Sequence, residues 1–270
     1  MDQGTTQQGQ LISKVMRLTD WYQQWCSPVV KAVYDQDLQR AQRLLVEVRT
    51  ALDASELDVD GKKALSLRIC YLEWQAERNL NPRADSRQIT SAVLAEMSNV
   101  NEGEIAKSFA AILRLQMRST LLRDEQADYP AVDFEQDFSE AHPDMRSLEF
   151  WHYVSSWAFL HKRVDYIEQA MAEHTIHADG YMSDFLWQRI NLMYQVLKGR
   201  ATRQDVIEIV KRLENLFQWV NVEKVLWPAL EEAGLVDDEI RDLLAKQLNK
   251  IKDAPQAPRR GPATKRIVQL

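Results

Sequence analysis

The sequence predicts an all-α protein built from antiparallel helical pairs, and three observations carry that prediction. Gly and Pro number only eight each in 270 residues, too few for the turns of a large β structure. Apolar residues recur three and four apart rather than alternating, the spacing of helical faces. Ser147 to His174 reads as a buried helix, a polar turn and a half-exposed helix. Its first half carries Phe150, Tyr153, Val154, Trp157 and Leu160 on one face, with Leu148, Trp151 and Phe159 elsewhere. Only Glu149, His152 and Ser156 make a polar stripe, so other helices are expected to surround it.

From the N-terminus, residues 1–10 are polar and expected to be disordered. Leu11, Val15, Leu18, Tyr22 and Trp25 form the first stripe, interrupted by Ser27-Pro28. A short helix through Val29 and Val33 follows. Asp35 or Asp37 can cap the next, whose Leu38, Ala41, Leu45, Val48 and Leu52 face inward. SELDVDG around Gly61 reads as a loop, and Lys62 to Arg78 as a helix stopped by Asn81-Pro82. Asp85 with Gln88 and Asn101 with Glu104 start two more helices, the second through Ile105, Phe109, Ile112 and Leu115.

Beyond the central pair, Ser183 is the expected cap for Leu186, Ile190, Met193 and Leu197, and Gly199 the C-terminal stop. Thr202 with Asp205 starts a helix expected to run through Val206, Val210, Leu213 and Phe217. Trp227-Pro228 and Gly234 mark breaks before a last helix through Ile240, Leu244, Leu248 and Ile251. This divides the chain into an N-terminal helical half (11–123), an acidic linker (124–144), a C-terminal helical half (145–253) and a basic, disordered tail (254–270).

Polar turns between paired helices fall near residues 36, 83, 162 and 200, at intervals of about 40 or twice that, the span of two-helix solenoid repeats. AVYDQDLQRAQRLLVEV and AFLHKRVDYIEQAMAEH are two such joints. The pattern resembles tetratricopeptide and related helical-repeat proteins over much of residues 20–220, although the Trp-x-x-Leu-Gly-x-x-Tyr signature is missing from every copy. An α-solenoid and an irregular helical bundle both fit.

The net charge of −6 is unevenly placed. Residues 124–144 hold eight acids and no base, whereas residues 254–270 hold four bases and no acid. Tyr129, Asp133, Phe134, Asp137 and Phe138 in the acidic stretch suit a contact with a protein partner. Trp21 and Trp25, one turn apart, suit an aromatic contact patch. Arg259, Arg260, Lys265 and Arg266 in the tail suit nucleic acid or another anion.

Phosphate-loop, dinucleotide, nucleophile-elbow, Cys-x-x-Cys and His-Glu-x-x-His motifs are all missing, so no cofactor and no catalytic residue is assigned. Glu149-x-x-His152 resembles half of a di-iron site, but no other histidine has a glutamate three residues before it. His174 and His177 have a spacing suited to a metal, at a helix end where histidine also suits the helix dipole. Cys26 and Cys70 lie within helical patterns beside aromatic or aliphatic neighbours, which suits free buried thiols in a reducing compartment better than a disulfide framework, and no stretch has the roughly 18 apolar residues of a membrane helix. The expectation is a cytoplasmic, non-enzymatic interaction protein, with a nucleic-acid accessory protein and a ligand- or metal-binding bundle as alternatives.

Overall fold

The computed structural model describes residues 3–81, 86–177 and 181–253, and their side chains apart from 3–8, 34, 86, 174–177, 181–184, 216, 217 and 253. Among the described residues the chain is all-α, with fourteen α-helices and one short 3-10 turn. It forms two compact units. Among the described residues, unit 1 is those up to Met117 with Pro130–Ser147, and unit 2 is Arg118–Tyr129 with those from Leu148 to 253. The chain enters unit 2 at Arg118, returns to unit 1 at Pro130 and leaves it again after Ser147.

Unit 1 contains α1 (Gln3–Trp25), α2 (Ser27–Tyr34), α3 (Leu38–Asp53), α4 (Val59–Leu80), α5 (Ser86–Ser98), the first part of α6 (Glu104–Glu125) and α7 (Ala131–Glu140). Leu11, Val15, Leu18 and Tyr22 are buried as their spacing predicts, and so are Ala41, Leu45, Val48 and Leu52. Asp37 caps α3 by accepting the Arg40 N–H at 2.9 Å. Helix α1 already begins at Gln3, so the expected disorder of residues 1–10 is replaced by helix from residue 3. No proline interrupts that stretch.

Gly61 is not in a loop. Asp58 caps α4 by accepting the Gly61 N–H at 2.8 Å, which moves the helix start to Val59. The α6 start also differs from expectation. Its first-turn donors, the Ile105 and Ala106 N–H groups, reach Asp60 at 3.1 and 2.8 Å. A carboxylate from the first turn of α4 therefore supplies the cap expected of Asn101, satisfying N–H groups that have no partner within their own helix. From Ile105 to Met117 only Lys107 is exposed, so this part of α6 is buried nearly all round rather than on one stripe.

Unit 2 contains the end of α6, α8 (Leu148–Leu160), α9 (Val164–His177), α10 (Tyr181–Leu197), α11 (Arg203–Lys211), α12 (Leu216–Glu223), α13 (Trp227–Glu232) and α14 (Asp238–Asp253). Helix α8 packs on α9 and α10, and α11 on α14. Every residue from Phe150 to Phe159 is buried, as the all-round apolar pattern predicts. Thr202 and Asp205 form the expected capping box. The helix expected to run from there through Phe217 is two helices, because Asn215 caps α12 by accepting the Gln218 N–H at 2.9 Å.

Three of the predicted joints share one geometry. Gln36, Lys162 and Gly199 have φ of 58°, 57° and 65°. At each, the N–H of that residue and the next reach back three and five residues, as in Gln36 N–H to Val33 O and Asp37 N–H to Ala32 O. This Schellman closure satisfies the last carbonyls of one helix and releases the next in a new direction. The joint predicted near residue 83 lies outside the described residues, as do the Asp85 cap and the tail.

Candidate functional site

Two arrangements hold the residues singled out by the sequence. The first is the acidic stretch, which was expected as a linker and contains helix α7. The correction has an electrostatic cause. Arg114 on α6, nearly buried, donates from Nε to Asp137 Oδ1 at 2.6 Å, from Nη1 to the Met97 carbonyl at 3.0 Å, and from Nη2 to Glu140. Two of the eight acids thus neutralise a buried guanidinium, which selects a helix placing Asp137 and Glu140 on adjacent positions. Burial alone would raise the Glu140 pKa, but hydrogen bonds from Gln136 and Arg114 outweigh it and hold the group below the usual carboxylate range.

The aromatics of the stretch are also used internally. Phe134 is fully buried and stacks on Phe138 at 5.9 Å between centroids. Arg146 lies 4.1 Å over the Phe138 ring and donates to the Phe138 and Ala141 carbonyls at 2.9 and 3.1 Å. Tyr129 belongs to unit 2, where it is buried against Trp157 and its carbonyl accepts the Trp157 indole N–H at 2.9 Å. Tyr129, Phe134 and Asp137 are therefore core residues and present no contact surface, which corrects their assignment to a partner. Asp133 and Phe138 are half-buried. The outer side of α7 instead carries Val132, Glu135, Gln136 and Ser139, all exposed. Trp21 and Trp25 stack at 6.3 Å and are half-buried.

The second arrangement grows from the polar stripe of α8. His152 and Ser156 are buried, whereas Glu149 at the helix start is exposed, so Glu149 and His152 form no ligand pair. Burial carries His152 into a cluster whose other members lie far away in sequence. Arg189 on α10, with no exposed surface, donates from Nη1 to His152 Nδ1 at 3.1 Å and from Nη2 to Ser156 Oγ at 2.9 Å. A guanidinium only donates, so His152 Nδ1 is the acceptor and Nε2 carries the proton. That Nε2–H faces Asn221 Oδ1 at 3.3 Å. Asn221 Oδ1 also accepts from Arg123 Nη1 at 2.6 Å, while Arg123 Nε is held by Asp124 at 2.7 Å. The Ser156 hydroxyl in turn donates to the His152 carbonyl at 2.9 Å.

The electrostatics follow from that geometry. Burial, reinforced by Arg189 and Arg123, drives the His152 pKa well below its ordinary value, so the ring is neutral at pH 7. Burial and the nearby Arg123 pull the Arg189 pKa down to about 9, which leaves it charged at pH 7. Arg189 was missed because, one residue before Ile190, it reads as an ordinary polar position. Asn221 and Arg123 gave no sequence signal either.

Among the described residues, no group of three or more His, Cys, Asp or Glu side chains could hold a metal. The backbones of His174 and His177 lie in α9, and their side chains fall outside the described set. Arg259, Arg260, Lys265 and Arg266 are outside it as well. Cys26 and Cys70 are free and buried, as expected; burial raises their thiol pKa values to about 12 and about 11. No helix among the described residues is long and apolar enough to cross a membrane. No protein-family model matches this chain, and no curated protein or solved structure is found similar to it.

Proposed function

We propose that the chain is a non-enzymatic helical interaction module, an adaptor or regulatory subunit working in the reducing interior of the cell, and that the outer side of α7 docks a basic segment of a protein partner. The observation that carries this reading is Val132, 72 % exposed on a helix whose opposite side is clamped by Arg114. Glu135 is exposed beside it, one turn along. A helix fixed from behind loses little freedom on binding, and its acids favour encounter with a basic surface. The repeated Schellman joints support a helical-repeat arrangement of the tetratricopeptide kind, a scaffold suited to such contacts.

The test is affinity purification of the full chain from its native cell, with and without nuclease, alongside a Val132→Lys/Glu135→Lys variant. A stoichiometric protein retained by the wild type after nuclease and lost from the variant is the expected result. Equal recovery on both chains would remove α7 as the docking surface. Recovery abolished by nuclease would replace the protein partner with nucleic acid and move attention to the basic tail.

A further inference from the structure

A guanidinium removed entirely from water is ordinarily matched by a carboxylate, because desolvating an unpaired charge costs several kcal/mol. Arg114 in unit 1 obeys that rule with Asp137 and Glu140. Arg189 does not. Among the described residues its hydrogen-bond partners are a neutral imidazole and a hydroxyl, and its Nε–H has none. The nearest acid in the network, Asp124, is engaged by Arg123 from both Nε and Nη2. Arg123 and Asp124 offset each other, so the cluster carries an uncompensated positive charge at Arg189. The same residues are poor candidates for proton-transfer chemistry, since the imidazole is held neutral by burial and by two nearby cations and both of its nitrogens are occupied.

We propose that Arg189 anchors an internal oxyanion site in unit 2, which takes a phosphate or carboxylate group on the Nε edge of the guanidinium. His152 and Ser156 occupy one hydrogen on each Nη and fix the plane of the fork. The Nε–H remains as a charge-assisted donor for an oxygen of such a group. His152 is a positioning residue, and Asn221 holds its tautomer. Because Arg189 is enclosed, the anion enters through local opening of the unit and is then held away from water. Binding of this kind stabilises the folded state by mass action. The site is independent of the α7 surface, and either reading can fail without the other.

The experiment uses the full-length chain at fixed ionic strength, titrated separately with inorganic phosphate, acetate and chloride. Two readouts are followed: the melting temperature and the ¹⁵N–¹H resonance of Arg189 Nε–H. Arg189→Lys deletes that resonance and assigns it; the proximity of the guanidinium to the His152 ring assigns it without a variant should Arg189→Lys not fold. A saturable shift of this resonance with a rise in melting temperature, in phosphate or acetate but not chloride, is the expected result. A response to phosphate alone identifies a phosphate-bearing ligand, and a response to acetate alone a carboxylate. An unmoved resonance, with equal melting temperatures in all three salts, overturns the site.

Discussion

Gly103 shows how a single atom can be excluded by a distant part of the chain. Its φ is +83°, and a Cβ there would lie 2.1 Å from Asp60 Oδ1, the same oxygen that caps α6. Gly103→Ala is expected to lose about 2 kcal/mol of stability through combined backbone strain and displacement of that cap, read as a lower urea midpoint. The sequence offered Asn101 as the cap because capping rules search locally, and Asp60 lies 45 residues from Ile105. His152 illustrates the same limit. Its burial was legible from the apolar residues around it, but its partners were not. Its folded pKa is depressed, so the folded protein resists a proton that the unfolded chain accepts near pH 6.5. The associated stability is complete above that pH and is lost as pH falls below it, at up to about 1.4 kcal/mol per pH unit. Urea midpoints measured between pH 7.5 and 5 should therefore fall less steeply for His152→Gln than for the wild type.

At the scale of the helix, the instructive comparison is α3 with α7. The stripe of α3 has one apolar and one charged side, so its burial follows from spacing alone. In α7 the inward face includes Asp137, 1 % exposed, and nothing in a single-chain pattern distinguishes an acid destined for a buried arginine from one facing solvent. Arg114 was equally silent among the polar residues of α6. Replacing Asp137 with Ala leaves a buried guanidinium short of its more deeply buried carboxylate and is expected to cost about 3–5 kcal/mol. Limited proteolysis should then cut within 131–140 well before the wild type is cut there. Glu140 supplies the acid side of the same contact. Its depressed pKa means that its contribution is present at neutral pH and disappears as pH falls from about 4.5 through the lower folded value. The ends of helices, by contrast, were read well where chemistry is local: Asp37, Thr202 with Asp205, and Gly199 all act as their residue types require.

For the molecule as a whole, the all-α class and the pairing of helices were legible because periodicity survives any tertiary arrangement, whereas the division into units was not. Composition placed boundaries at the acidic stretch, yet the units are interleaved along the chain. A fragment ending at residue 117 keeps Arg114 and lacks both of its acids; one ending at 147 keeps all three. The longer fragment is expected to give a cooperative urea transition by circular dichroism, and the shorter one a broad or absent transition. Likewise, a fragment beginning at Leu148 lacks Arg123 and the Tyr129 carbonyl that receives the Trp157 indole.

That interleaving also orders events during synthesis. Arg114 leaves the ribosome 23 residues ahead of Asp137, a delay of about one to five seconds at ordinary elongation rates. For that interval the nascent α6 holds a cation whose partners Asp137 and Glu140 have yet to be translated, and it must keep that side chain hydrated. Closure of unit 1 is thus timed by the arrival of α7, so a pause in translation between residues 117 and 140 prolongs an open intermediate, whereas a pause after 147 does not.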